Sequence, residues 1–246
     1  MRTWIFAAAL IFAACSGSPS NGQQSQNAVA QGAPNTDFTP AFAGQTRAPE
    51  ALSGVQINAE EIATGLNHPW AIVFLPDSRM LVTERPGRLR VVTREGNISE
   101  PVAGLPQVFA QGQGGLLDVV LSPGFATDRL IYWSYSEPRQ GGGNGTSVAR
   151  GRLSDDVSRV EDVQVIFRQM PSWESRGHFG SRLVFDRSSL LYVTLGDRQR
   201  PEPRQLAQDL STHIGKIVRI NADGGTPDDN PFVGRSDIRS ENWSYG

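Results

Sequence analysis

The chain of 246 residues has one cysteine, Cys15, one lysine, Lys216, and three histidines. A single thiol cannot close an internal disulfide, so packing alone must hold any core. Three dispersed histidines without a second thiol do not make a zinc site. Twenty-three Lys+Arg residues against 25 Asp+Glu give a formal net charge of −2, which leaves no basic field to hold nucleic acid. The apolar run Trp4–Ala14 falls short of the roughly 20 residues that span a bilayer. No stretch keeps a 3.6-residue apolar period over three turns, which argues against a helical bundle. The excess lies in 26 glycines and 16 prolines, the residues of tight turns.

The N-terminus reads as targeting. Arg2, the short apolar run and Cys15 have the order of an export signal, residues 1–15. Ala13-Ala14-Cys15 resembles a bacterial lipobox, with Phe12 where such boxes carry leucine; an ordinary signal cleaved after a small residue is the alternative. The expectation is a periplasmic bacterial protein, lipidated at Cys15 and touching the membrane only through that anchor. Residues 16–52 are Ser, Gly, Gln, Asn, Ala and Pro, with Asp37, Arg47 and Glu50 their only charges. Such a tract buries too little apolar area to offset its ordering entropy and reads as a disordered linker.

From residue 53 the pattern changes to short strands. Ala71–Phe74, Met80–Glu84, Leu89–Val92, Leu116–Leu121, Leu130–Ser136, Ser147–Leu153, Gln164–Arg168, Ser181–Phe185, Leu190–Leu195 and Gly215–Asn221 are divided by Pro, Gly and Asp turns. The best helical candidate is Arg204–Ser211. The fold class is all-β. An internal echo sharpens it: Trp70-Ala-Ile-Val-Phe with Met80-Leu-Val-Thr returns as Leu117-Asp-Val-Val-Leu with Leu130-Ile-Tyr-Trp. It returns again as Ser181-Arg-Leu-Val-Phe with Leu190-Leu-Tyr-Val-Thr. Repeats of several strands at about 40–50 residues indicate propeller blades; a sandwich would show the strands without the echo.

Three segments carry candidate chemistry. In Gly112-Gln113-Gly114-Gly115, glycines let a ligand approach the backbone, and the Gln113 amide suits a sugar hydroxyl; a plain turn is the alternative. In Gly177-His178-Phe179-Gly180, a histidine heading a strand can project into the channel of a propeller, where an imidazole suits proton abstraction; a satisfied structural histidine is the alternative. Structural roles fit His68 and His213. Asp228-Asp229-Asn230-Pro231 hints at calcium but lacks EF-hand spacing and reads as a solvated turn. Gly196-Asp197-Arg198 could be a buried ion pair at a blade edge.

Taken in order, Leu66-Asn67-His68-Pro69-Trp70, Leu81-Val82-Thr83-Glu84-Arg85, Gly112–Leu117, His178–Arg182, Gly196-Asp197-Arg198, His213–Arg219, Asp229–Phe232 and Trp243-Ser244-Tyr245-Gly246 resemble the soluble aldose sugar dehydrogenases. These are pyrroloquinoline-quinone (PQQ) enzymes of the glucose/sorbosone dehydrogenase family. The resemblance implies a six-bladed β-propeller, of which residues 53–246 would supply about three to four blades. It implies oxidation of an aldose at its anomeric carbon to a lactone, with His178 as general base, Gln113 on the sugar and hydride passing to the quinone. Where some relatives carry an acidic residue before the histidine, this chain has Gly177, so carboxylate help for the base is either absent or comes from elsewhere. The family's Arg-Asn pair on the quinone and its calcium ligands are expected beyond Gly246, so the chain reads as an inactive fragment, with no metal ligands assigned within it. Its electron acceptor is not legible. A calcium-dependent propeller lactonase, with inward carboxylates such as Asp118 and Asp197, and a non-catalytic glycan- or protein-binding propeller are the competing readings.

Overall fold

The computed structural model describes residue 37, residues 39–43, residue 45 and residues 53–246. The signal-like segment, Cys15 and most of the linker lie outside the described residues. Glu60–Gly246 forms one compact unit. Its strands make three antiparallel sheets. The first holds β1 (Pro69–Phe74), β2 (Met80–Glu84) and β3 (Arg88–Val92) in that order. The second runs β4 (Leu116–Leu121), β5 (Leu130–Pro138), β6 (Asn144–Leu153) and β7 (Val160–Arg168). The third runs β8 (Gly180–Phe185), β9 (Leu191–Leu195), β10 (Lys216–Ile220) and β11 (Asn242–Tyr245).

β4 packs on β1 and β2, and β8 packs on β4 and β5, so the sheets stand face to face in chain order as propeller blades do. Three blades are present among the described residues. β5 shows why the middle one carries large apolar side chains on both faces. Ile131, Trp133 and Tyr135 point into a core shared with Leu81, Leu89 and Val91 of the first sheet, whereas Tyr132 points into a core shared with Leu183, Val193 and Val218 of the third. A strand covered on both faces has no solvated side, and the serines it carries, Ser134 and Ser136, are buried with their hydroxyls bonded.

A repeated hydroxyl latch ties neighbouring sheets. Thr83 accepts the Ala71 N–H (3.0 Å) within its own sheet and donates to the Leu117 carbonyl of the next (2.6 Å). Ser134 accepts from Asp118 N–H (3.0 Å) and donates to the Ser181 carbonyl (2.7 Å). Thr194 accepts from Arg182 N–H at 2.9 Å. In each sheet the latch sits at a register shift of the first strand, between Pro69 and Ala71, Leu116 and Val119, or Gly180 and Leu183. A bulge leaves backbone groups without ladder partners, and the hydroxyl satisfies them.

Three sequence expectations change. β11 has no counterpart among the predicted strands. The helix over Arg204–Ser211 is instead a four-residue α-helix, α2 (Pro201–Arg204), running into a 3-10 turn at Gln205–Gln208. Pro201 pre-sets the helical φ at the first position, so the helix starts earlier. A short α1 (Phe125–Asp128) joins β4 to β5.

Candidate functional site

The loops entering β4 and β8 and the loop leaving β9 meet at one end of the sheets, bringing Gln113, His178 and Asp197 together. The hairpin explains the last pair: Gly180 lies opposite Leu195 in the β8–β9 register, so continuing the two antiparallel chains sets His178 opposite Asp197. Nδ1 of His178 lies 2.6 Å from Oδ1 of Asp197, and the imidazole is 42 % exposed. A carboxylate at that distance fixes the tautomer with the proton on Nδ1, so the lone pair resides on Nε2, which has no protein partner among the described residues. The His178 main chain is held equally closely. Its N–H donates to Gln113 Oε1 (2.8 Å), and its carbonyl accepts from Arg198 N–H (3.3 Å). Gly196 is required here because a Cβ on it would come within 1.9 Å of that same carbonyl.

Burial pushes the Asp197 carboxyl upward, but the Gln199 N–H (2.9 Å), the His178 ring and the Arg204 guanidinium outweigh it and hold its pKa below the ordinary aspartate value. Arg204, the last residue of α2, places Nε 3.4 Å from Asp197 Oδ2. Gln113 is exposed and fixed by its own N–H to the Arg176 carbonyl (2.7 Å). Its amide oxygen is spent on His178, so its amide nitrogen is the group left to donate to a ligand.

The carboxylate partner of His178 is thus Asp197, 19 residues downstream of the histidine, and not a neighbour at position 177. Asp197 and Arg198 do not form the buried ion pair that their adjacency suggested. Arg198 turns inward, fully buried, with its guanidinium 3.9 Å from the centre of the Phe179 ring and Nη2 donating to Asn144 Oδ1 (2.6 Å). Burial pushes its pKa down to about 10. Gln199, whose amide lies against Gly177, and Arg204 are further site residues that the sequence did not single out. Knowing the hairpin register would have found Asp197; Arg204 arrives on a loop with no such rule.

Asp118 has a different role. It is buried, accepting Leu183 N–H (2.7 Å) and Arg182 Nη1 (2.8 Å), and so bridges the second and third sheets. The two inward carboxylates of the lactonase reading are thus both committed to protein partners. Among the described residues no three His, Cys, Asp or Glu side chains cluster to hold a metal. Asp229 and Asn230 are likewise occupied: both bind the Arg219 guanidinium, and Asn230 is buried, so that turn is only partly solvated. His213 is buried with Nδ1 accepting Met170 N–H (3.1 Å), and His68 is exposed against Asn67.

Residues 66–246 match the family described as Glucose / Sorbosone dehydrogenase. The chain belongs to that family. It is 50 % identical over 191 residues to the aldose sugar dehydrogenase YliI of Escherichia coli, covering 77 % of this chain and 51 % of the relative. The solved apo-form of the soluble E. coli aldose sugar dehydrogenase superposes with a TM-score of 0.73 at 51 % identity, over 77 % of this chain and 54 % of that one. The PQQ-bound aldose sugar dehydrogenase of Streptomyces coelicolor gives a TM-score of 0.63 at 28 % identity, over 73 % and 52 %. The chain spans about half the length of the curated relatives it matches. As a member of the glucose/sorbosone dehydrogenase family, it carries part of the β-propeller of these neighbours.

Proposed function

We propose that these residues are part of a longer sugar dehydrogenase that oxidises an aldose at the anomeric carbon to a lactone, with pyrroloquinoline quinone as cofactor and His178 as general base. The observation that supports this reading is the His178–Asp197 pair, 2.6 Å apart, with the imidazole half open to solvent beside the Gln113 amide. Asp197 holds the Nδ1 proton, which keeps Nε2 able to accept a hydroxyl proton, and its anionic form offsets the imidazolium charge that results. The Gln113 amide nitrogen donates to the sugar oxygen and orients it. The quinone, when bound, supplies the two-electron acceptor that side chains cannot.

The fit of the described residues to that cofactor is partial. A base and an amide suit the reacting edge, but the quinone bears three carboxylates that need cationic partners. The nearby guanidinium of Arg204 is engaged by Asp197, and that of Arg85 by the Gly112 carbonyl. We assign the cationic grip, and the calcium expected with it, to the remainder of the whole protein. Export and a lipid on Cys15 would place the enzyme in the periplasm, with the aldose as its partner and an electron acceptor still to be identified.

The test is His178→Gln in the whole protein, loaded with quinone and assayed by dye-linked aldose oxidation. A loss of about 10²-fold or more in kcat with folding intact is expected; undiminished turnover removes His178 from the mechanism.

A further inference from the structure

Lys216 is the one lysine among 23 cationic residues, and the chemistry above does not use it. It is 2 % exposed. Its Nζ donates to three main-chain carbonyls, Leu206 (3.1 Å), Ala207 (2.5 Å) and Ile214 (2.8 Å). Three acceptors converging on one point suit a compact ammonium; the planar fork of an arginine could not serve them together. That explains why this position departs from the arginine used everywhere else. Burial pushes the Lys216 pKa down to about 8, with Asp209 on the same segment opposing the shift.

The caged carbonyls belong to the segment that backs the site. Its 3-10 turn, Gln205–Gln208, follows directly on Arg204. Gly215, next to Lys216, is wedged between that turn and Asp197. Its N–H donates to the Gly196 carbonyl (3.1 Å), and its φ is +64°. A Cβ there would lie 2.9 Å from the Ala207 Cβ and 3.9 Å from the Asp197 Cβ. Gly215 thus links the caged segment to the site: a Cβ on it would meet Ala207 on one side and Asp197 on the other, and its N–H is bonded to the carbonyl of the residue before Asp197.

We propose that Lys216 is a positioning residue: its ammonium, set among three carbonyls, presses the 205–214 segment onto Gly215 and so holds Asp197 against His178. The functional weight of this contact rests on His178 being the base; the contact itself does not.

The probe is the whole protein labelled with imidazole ¹⁵N-histidine and observed by NMR. An imidazole N–H held by a carboxylate gives a low-field proton, assigned to His178 by its loss in Asp197→Asn. Lys216→Met removes the donor shared by the Ala207 and Ile214 carbonyls, while the Leu206 carbonyl keeps the Asp209 N–H and the Thr212 hydroxyl; the low-field signal should broaden or vanish, with exchange of the Gly215 amide faster by about tenfold or more. Ala207→Gly keeps the cage and removes only the wedge. It should move the signal upfield without unfolding the chain, and it decides the matter should Lys216→Met fail to fold. A signal unchanged in Ala207→Gly and in folded Lys216→Met overturns the proposal. Activity separates the two readings. Whole, quinone-loaded His178→Gln that still turns over would end the assignment of the base while leaving a moved signal, and hence the role of Lys216, in place.

Discussion

Removing the Asp118 carboxylate tests whether the second and third sheets are held by a buried charge or by apolar packing alone. Asp118 is 1 % exposed, while the Arg182 side chain that meets it is 63 % exposed. The exposed half of that ion pair contributes little, up to about 1 kcal/mol. The Leu183 N–H is different: it is a buried donor at a bulge, and without its acceptor it costs about 1–3 kcal/mol. Asp118→Ala should therefore destabilise the chain by about 2–4 kcal/mol once the small cavity is included. Arg182→Gln should cost no more than about 1 kcal/mol. For a unit of this size, the alanine variant should melt about 5–12 °C lower. The assay is urea and thermal unfolding followed by tryptophan fluorescence, Trp133 being buried in the adjoining core.

The pH dependence gives a second handle. Burial raises the Asp118 pKa above its unfolded value, against the opposing pull of Leu183 N–H and Arg182. The folded state therefore takes up a proton before the unfolded state does, and this group's contribution grows as pH falls through the raised pKa toward the ordinary aspartate range. The gap between wild type and Asp118→Ala should widen on acidification over that window. Equal losses for Asp118→Ala and Arg182→Gln, or a gap that narrows with acid, would refute the reasoning.

Asp197→Asn in the whole quinone-loaded protein should lower kcat by about 10²–10⁴-fold with KM little changed, because it frees the wrong imidazole tautomer; steady-state kinetics with a dye acceptor would show otherwise if KM alone moved. Thr83→Val and Ser134→Ala should each cost about 1–3 kcal/mol in urea unfolding, since each strands an N–H and a carbonyl on facing strands. Losses below about 0.5 kcal/mol in both would mean the latches are incidental. Cys15→Ser should release the exported protein from the membrane fraction without altering its fold, as fractionation and mass measurement of the mature N-terminus would show.

Most of the strands were legible because their apolar residues either alternate or fill runs of five or six between Pro, Gly and Asp turns. β2 and β4 fall on the residues predicted for them, and β10 within one residue at each end. β11 was not, since Asn242-Trp-Ser-Tyr has no buried alternation and pairs with β10 across a turn-rich stretch of some twenty residues. β7 begins four residues earlier than expected because Val160 and Glu161 pair with Leu153 and Arg152, a register that periodicity cannot reveal. The site divides in the same way. His178 and Gln113 sit in glycine-rich motifs that mark them, although 65 residues separate them. Asp197 looked like half of an ion pair with its neighbour, because adjacency in sequence is visible and the opposition of two strands across a hairpin is not.

The hydroxyl latches have a direction. Thr83 and Ser134 each complete their own sheet with the acceptor side of one oxygen and offer the hydrogen to the sheet that follows in the chain; Thr194 shows the first half of the pattern. Thr83 is translated before Leu117, and Ser134 before Ser181. The stacking of the second sheet on the first, and of the third on the second, is thus keyed to an oxygen that lies in the earlier one.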